Sequence, residues 1–140
     1  MNARRANGFT LIEIMMVVVI IGILAALIIP NVVGRDDQAR VTAANSDLNG
    51  IANALNMYKL DNFHYPSTDQ GLDALVEQPS GFPEAKNWNP NGYLKKTPTD
   101  PWGTPYVYLA TSNGFELYSL GSDGVEGGDG YAADIHYEPK

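Results

Sequence analysis

Cysteine is absent from the 140-residue chain. That excludes a disulfide framework and a thiolate metal centre, so a small exported domain has to find its staple elsewhere, with a bound cation the obvious substitute. Basic residues are also scarce. Nine Lys and Arg stand against 16 Asp and Glu, a formal charge of -7, so a run of phosphates could not be neutralised and nucleic acid is excluded as a partner. Only two histidines occur, His64 and His136. They lie far apart and outside any metal-ligand spacing, which argues against zinc and leaves them as surface or packing residues. There is no Gly-x-Ser-x-Gly elbow, no Walker loop and no HExxH, so the sequence presents no enzyme. Asp36 and Asp37 are adjacent and would point in different directions on a helix, as solvated charge rather than a catalytic pair. At this length there is room for one membrane element and one small domain, and no more.

One long apolar run is present. Leu11 to Ile29 is interrupted only by Glu13 and the helix-weak Gly22, and its length suits the roughly 20 residues of a membrane-spanning helix. Arg4 and Arg5 precede it and no acidic residue occurs before Glu13, so the positive-inside bias keeps the N-terminus cytoplasmic and exports the rest. A secretory signal would end in a small-residue cleavage site, but this core runs on into Pro30-Asn31-Val32; Ala25-Ala26-Leu27 resembles such a site only weakly. A carboxylate inside an apolar span costs roughly 2.5 to 3.5 kcal/mol and needs a partner. Glu13 either snorkels at headgroup level, helped by the dipole of the helix start, or finds its partner on another chain.

The hexapeptide Gly8-Phe9-Thr10-Leu11-Ile12-Glu13, behind a basic leader and ahead of an apolar helix, resembles the processing site of type IV pilins and type II secretion pseudopilins. The resemblance implies that a prepilin peptidase cuts after Gly8 and methylates the new N-terminal Phe9. Residues 1–8 would then be a leader, 9–29 a transmembrane and polymerisation helix, and 30–140 a periplasmic domain. It also implies that Glu13 pairs with the terminal amine of a neighbouring subunit. Such a buried pair contributes little net stability but penalises wrong registers, because an uncompensated buried charge is expensive.

Pro30 removes a backbone donor and Gly34 adds a second weak point, which predicts a kink or melted stretch over 29–34. Beyond it Val41, Ala44, Leu48, Ile51, Ala52, Leu55, Tyr58 and Lys59 recur at spacings of three and four, predicting an amphipathic helix over 39–60. Its other face carries Arg40, Asn45, Asp47, Asn49, Asn53 and Asn56. Ser67 to Gln70 spells a capping box before Leu72, Leu75 and Val76 and predicts a short second helix. Residues 78–98, rich in Pro, Gly and Asn, read as a long loop. Two β-rich runs, 106–110 and 115–120, flank an Asn113-Gly114 hairpin signal. The fold class is therefore α+β: type IV pilin-like, a long N-terminal helix, half transmembrane and half amphipathic, packed on a small antiparallel sheet with a C-terminal calcium loop.

Two further stretches, Tyr65-Pro66-Ser67-Thr68-Asp69-Gln70-Gly71-Leu72 and Asp100-Pro101-Trp102-Gly103-Thr104-Pro105-Tyr106, resemble the major-pseudopilin family of type II secretion, also called the general secretion pathway protein G family. The second reads as a turn whose Trp102 and Tyr106 bury against the helix. The tail from Leu120 to Asp134 sets carboxylates among glycines, as a hard cation with six to eight oxygen ligands requires, although such a tail by itself is more often a solvated loop. The resemblance tips the balance to structural calcium, with Asp123 and Asp129 as side-chain ligands, Leu120 and Val125 as carbonyl ligands, Asp134 as a further member, and Glu126 in solvent. Magnesium, which demands a rigid octahedron, is the second choice. The family resemblance implies a homopolymeric pseudopilus that helps export folded proteins. It would be built at the inner membrane with minor pseudopilins, an assembly platform and an ATPase acting through other proteins. The rival readings are a surface pilin for adhesion or motility, disfavoured by the missing C-terminal cysteine pair, and a monomeric membrane-anchored calcium-binding periplasmic module.

Overall fold

The computed structural model describes residues 8–139, apart from the side chains of 27–35. The basic leader residues Arg4 and Arg5 therefore lie outside the described residues. One long helix, α1 (Leu11–Asn62), is followed by a four-residue 3-10 helix (Leu72–Leu75) and by strands β1 (Val107–Thr111), β2 (Gly114–Ser119) and β3 (Ile135–His136). Two further 3-10 turns, Gly121–Asp123 and Gly130–Ala132, lie between β2 and β3. The chain divides between Asp36 and Asp37 into an N-terminal and a C-terminal unit.

In the N-terminal unit α1 starts where Thr10 and Glu13 close a reciprocal cap. The residues from Leu11 to Leu24 other than Glu13 and Gly22 are between half and four-fifths exposed. Among the described residues no helix is long and apolar enough to cross a membrane; the side chains of 27–29, the last part of the predicted span, are not among them. Helical backbone continues through Pro30 and Gly34, so the predicted melted stretch does not interrupt it. One proline withdraws a single donor, and the hydrogen bonds on either side suffice to carry the helix past it.

In the C-terminal unit the helix buries one stripe: Ala44, Leu48, Ile51, Ala52, Leu55 and Tyr58 are at most 3% exposed. Leu48, Ile51, Leu55 and Tyr58 meet Leu72 and Leu75 of the 3-10 helix and Tyr106, Tyr108 and Leu117 of the sheet in a single core. Each such aliphatic side chain contributes roughly 1.5 to 3 kcal/mol when withdrawn from water. Arg40, Asn45, Asp47, Asn49, Asn53 and Asn56 are exposed, as the periodicity requires. Lys59 departs from it: its position is exposed and its ammonium lies 4.6 Å from the centre of the Tyr65 ring, where the aliphatic stem covers apolar surface while the charge stays in water.

The sheet is antiparallel in the order β1-β2-β3. Tyr108 pairs with Leu117 and faces the core, whereas the next pair, Leu109 and Glu116, faces solvent, as the two-residue period of a strand dictates. Thr111 pairs with Gly114, so the turn is Ser112-Asn113 and the glycine belongs to β2, one position from where the Asn-Gly signal places it. Neither Asn113 nor Gly114 has a positive φ, which is why the primed turn that favours Asn-Gly does not form.

The capping box at Ser67 does form, with Gln70 Oε1 accepting from the Ser67 N–H (2.9 Å) and Ser67 Oγ from the Gln70 N–H (3.2 Å). It leads into a turn and a 3-10 helix rather than the predicted α-helix, because Gly71 sits at φ 59 and breaks the right-handed run. Residues 78–98 are irregular but pinned: Trp88 Nε1 donates to the Ala74 carbonyl at 2.8 Å and Gln70 Nε2 to those of Ser80 and Pro83. Trp102, predicted to be buried, is only partly buried and is not a member of the core; Tyr106 is buried and donates its hydroxyl to Asp47 at 3.1 Å. Pro101 and Gly103 turn the chain so that one aromatic of the motif reaches the helix while the other remains on the turn.

Candidate functional site

Two groups of residues carry chemistry that the core does not explain. The first is the start of α1. Gly8 is exposed and open space surrounds its Cα, and Phe9 is 83% exposed. Glu13 Oε2 accepts from both the N–H (3.0 Å) and the hydroxyl (3.1 Å) of Thr10, while the Glu13 N–H donates to Thr10 Oγ1 (3.3 Å). Thr10 and Glu13 thus form a capping box that satisfies otherwise orphaned N–H groups of the first turn, and the carboxylate favours the positive end of the helix dipole. The signal is present in the sequence as Thr-x-x-Glu, the same kind of pattern that marks Ser67 to Gln70, and sequence reasoning missed it here. Behind it runs the exposed apolar surface of Leu11 to Leu24, a continuous patch far larger than a solitary soluble chain leaves open.

The second is the loop between β2 and β3. Five glycines in it, Gly121, Gly124, Gly127, Gly128 and Gly130, take positive φ. At Gly121 and Gly128 a side chain is also barred by contact: a Cβ on Gly121 would stand 2.6 Å from the Ala133 carbonyl oxygen, and one on Gly128 would overlap that of Ala132. The two limbs of the loop are therefore in backbone contact. Asp123 Oδ1 accepts the Val125 N–H at 3.0 Å and Asp134 Oδ2 accepts the Gly127 N–H at 2.9 Å. The other oxygen of Asp134, Oδ1, is buried without a hydrogen-bond partner, an expensive arrangement for a carboxylate unless a cation or water meets it.

Among the described residues no three Asp, Glu, His or Cys side chains gather as a metal-binding cluster. Asp123, Asp129 and Asp134 therefore do not converge as a trio. Asp129 is exposed and makes no side-chain cap to the turn it precedes. Any cation here depends on main-chain oxygens such as those of Leu120 and Val125, together with Asp134 and Asp123, a donor set that suits a hard ion with flexible coordination. Glu126 is exposed. The ring of His64 lies between the carbonyl oxygens of Tyr65 and Glu84, Nδ1 at 3.1 Å and Nε2 at 3.2 Å, and His136 stacks on Tyr118; both are engaged in packing within the described structure.

A helix with an unburied apolar N-terminal part and a small antiparallel head on its polar-faced continuation is the architecture of the pilin-like structural subunits. The family model described as "Type II secretion system (T2SS), protein G" matches residues 31–138, and that of the "Prokaryotic N-terminal methylation motif" matches 3–29. The type II secretion system core protein G of Pseudomonas aeruginosa is 64% identical over 137 residues, covering 96% of each chain. That of Vibrio cholerae is 49% identical over 134 residues, 94% of this chain and 91% of its own. The crystal structure of the major pseudopilin from the type 2 secretion system of enterohaemorrhagic Escherichia coli superposes with a TM-score of 0.65 at 39% identity, over 76% of this chain and 93% of that one. The chain belongs to the type II secretion system protein G family. It is a structural pseudopilin subunit, not an enzyme, and it works by assembly with other components of the secretion machinery.

Proposed function

We propose that this chain is the major subunit of the pseudopilus, made with a leader of residues 1–8, cleaved after Gly8, methylated at Phe9 and polymerised through its N-terminal helix. The observation that carries the reading is the exposed apolar surface from Leu11 to Leu24 with one carboxylate, Glu13, at its head. That surface needs a bilayer before assembly and neighbouring helices afterwards. The subunit waits in the inner membrane with residues 9–29 as its anchor, its N-terminus cytoplasmic and the domain 30–140 periplasmic. A prepilin peptidase, minor pseudopilins and an inner-membrane assembly platform are its partners. Cleavage creates a cationic amine at Phe9, and Glu13 of a neighbouring copy receives it, fixing register.

We further propose that calcium orders the loop between β2 and β3. The buried, unpartnered Asp134 Oδ1 and the glycine-built contact between the two limbs support it. Asp134 and Asp123 would hold the ion with the Leu120 and Val125 carbonyls, and Asp129, which stands apart from a carboxylate cluster, would bind only if the loop closed on the metal. The bound ion supplies charge neutralisation and a cross-link in a chain without cysteine.

Intact mass of the protein from its host, with and without the prepilin peptidase, tests the processing reading. Loss of eight residues plus a methyl group, dependent on the peptidase, is expected; an unprocessed N-terminus returns the choice to a monomeric anchored module. Glu13→Ala should abolish polymer while the periplasmic domain remains folded, and polymer formed at the normal level refutes the register role.

A further inference from the structure

Asp100 is the only carboxylate among the buried polar residues of the described core, 4% exposed, and it touches another member of that group, Ser119, at 0%. Its Oδ1 accepts the N–H groups of Trp102 (3.1 Å) and Thr104 (2.8 Å), closing the turn of the Asp-Pro-Trp-Gly-Thr-Pro motif. Its Oδ2 accepts the hydroxyl of Ser119 at 2.6 Å, a short, charge-assisted bond. Ser119 is the last residue of β2, and its Oγ accepts in turn the N–H of Gly121 at 3.2 Å. A hydrogen-bonded chain therefore runs from a buried anion, through one hydroxyl, to one peptide group.

That peptide group is the one whose carbonyl belongs to Leu120. In a planar trans peptide the N–H and C=O point in opposite directions, so anchoring the Gly121 N–H inward on Ser119 turns the Leu120 carbonyl outward, away from the sheet. The same chain polarises it. A hydroxyl that donates to a carboxylate is a better acceptor, and an N–H that donates to it leaves more negative charge on the carbonyl of its own peptide. Gly121, at φ 67, also backs onto the Ala132-Ala133 peptide of the opposite limb, next to Asp134. The chain thus fixes the direction of the Leu120 carbonyl, while the Gly121 contact holds the same peptide against the limb that carries the unpartnered carboxylate oxygen.

We propose that Asp100 and Ser119 are positioning residues for a hard divalent cation in the loop 120–134, acting through the Gly121 N–H to aim and polarise the Leu120 carbonyl; this rests on the reading of that loop as a calcium site. Neither residue touches the ion. Their role explains why a turn that a neutral Asx residue could close is built around a buried aspartate with a serine hydroxyl on its second oxygen.

The test uses the full chain in detergent micelles, with calcium binding measured by titration calorimetry and thermal unfolding followed in calcium and in EGTA. Ser119→Ala removes one hydroxyl and leaves Asp100 its two backbone donors. Asp100→Asn keeps the Oδ1 acceptor for Trp102 and Thr104 but removes the anion. Each is expected to weaken calcium binding about tenfold or more, the usual effect of losing an outer partner of a metal site, and to shrink the calcium-dependent rise in midpoint. Wild-type affinity in either folded variant, with midpoints lowered equally in calcium and EGTA, reduces the pair to core packing and overturns the proposal. A wild-type chain that neither binds calcium nor melts differently in EGTA overturns the calcium reading itself, a result distinguishable from the first.

Discussion

Replacing Tyr58 with phenylalanine is expected to stabilise the protein, although Tyr58 is a fully buried residue at the centre of the core. Its ring is 0% exposed and lies against Tyr93 at 5.4 Å and His64 at 6.0 Å, but its hydroxyl has no hydrogen-bond partner. A buried unpaired hydroxyl costs on the order of 1 to 3 kcal/mol, and phenylalanine keeps the ring contacts while deleting it. A gain of about 1 kcal/mol at pH 8, the low end of that range, corresponds to a midpoint rise of about 4 to 8 °C in a domain of this size. The effect must grow with pH. Burial, with Tyr93 beside it, pushes the Tyr58 phenol up to about 12, whereas in the unfolded chain it ionises near 10. With the phenol protonated in both states below pH 10 this ionisation costs nothing, and the fold loses stability as pH rises toward 12, on the order of 1 kcal/mol by pH 11. The variant escapes that loss, so its advantage should widen to roughly 2 kcal/mol at pH 11, while Tyr106 and Tyr108, also pushed up by burial, still make both proteins fall. Urea unfolding of the full chain in detergent, read by tryptophan fluorescence at the two pH values, measures both quantities. A less stable variant at pH 8 shows that the hydroxyl is satisfied, and an advantage that does not widen refutes the link between its burial and its ionisation.

Two further substitutions probe the backbone. Phe63 ends α1 at φ 67, the only described non-glycine residue with positive φ, and its side chain is 81% exposed; Phe63→Gly should therefore raise the thermal midpoint, by about 1 kcal/mol of relieved left-handed strain, and a fall would mean that the exposed ring has a hidden packing role. Gly121→Ala puts a Cβ 2.6 Å from the Ala133 carbonyl at φ 67 and should destabilise by about 1 to 3 kcal/mol and weaken calcium binding. Unchanged calorimetric affinity would show that the contact between the limbs does not shape the cation site.

The features legible in the sequence are those whose partners lie within a turn or two of chain. The apolar run with its leading Gly8-Phe9 and Glu13 is contiguous, and the buried stripe from Ala44 to Tyr58 repeats with the helix itself, so periodicity suffices for both. The hairpin is legible to within one residue; the offset arises because Gly114 could serve either as a turn residue or as the first of β2, and local sequence prefers the former. β3 escapes because two residues carry no period, and Ile135-His136 becomes a strand only when Tyr118 and Ser119 of β2 are there to pair with it.

The same logic explains why the motif around Asp100 advertises its aromatics and not its carboxylate. Within the motif the aspartate looks like an ordinary turn residue, since its bonds to Trp102 and Thr104 are local. Its bond to Ser119 spans 19 positions and exists only after β1 and β2 have folded back on each other, which carries the end of β2 to the turn that precedes β1. The hairpin is therefore more than a lid on the helix. It delivers a hydroxyl to a buried anion on one side and a glycine peptide to the acidic loop on the other. A substitution in the turn at Asp100 should consequently be felt first at the Leu120 carbonyl rather than in the helix core: the core gains its stability from many apolar contacts of similar weight, whereas the loop's geometry hangs on one peptide plane.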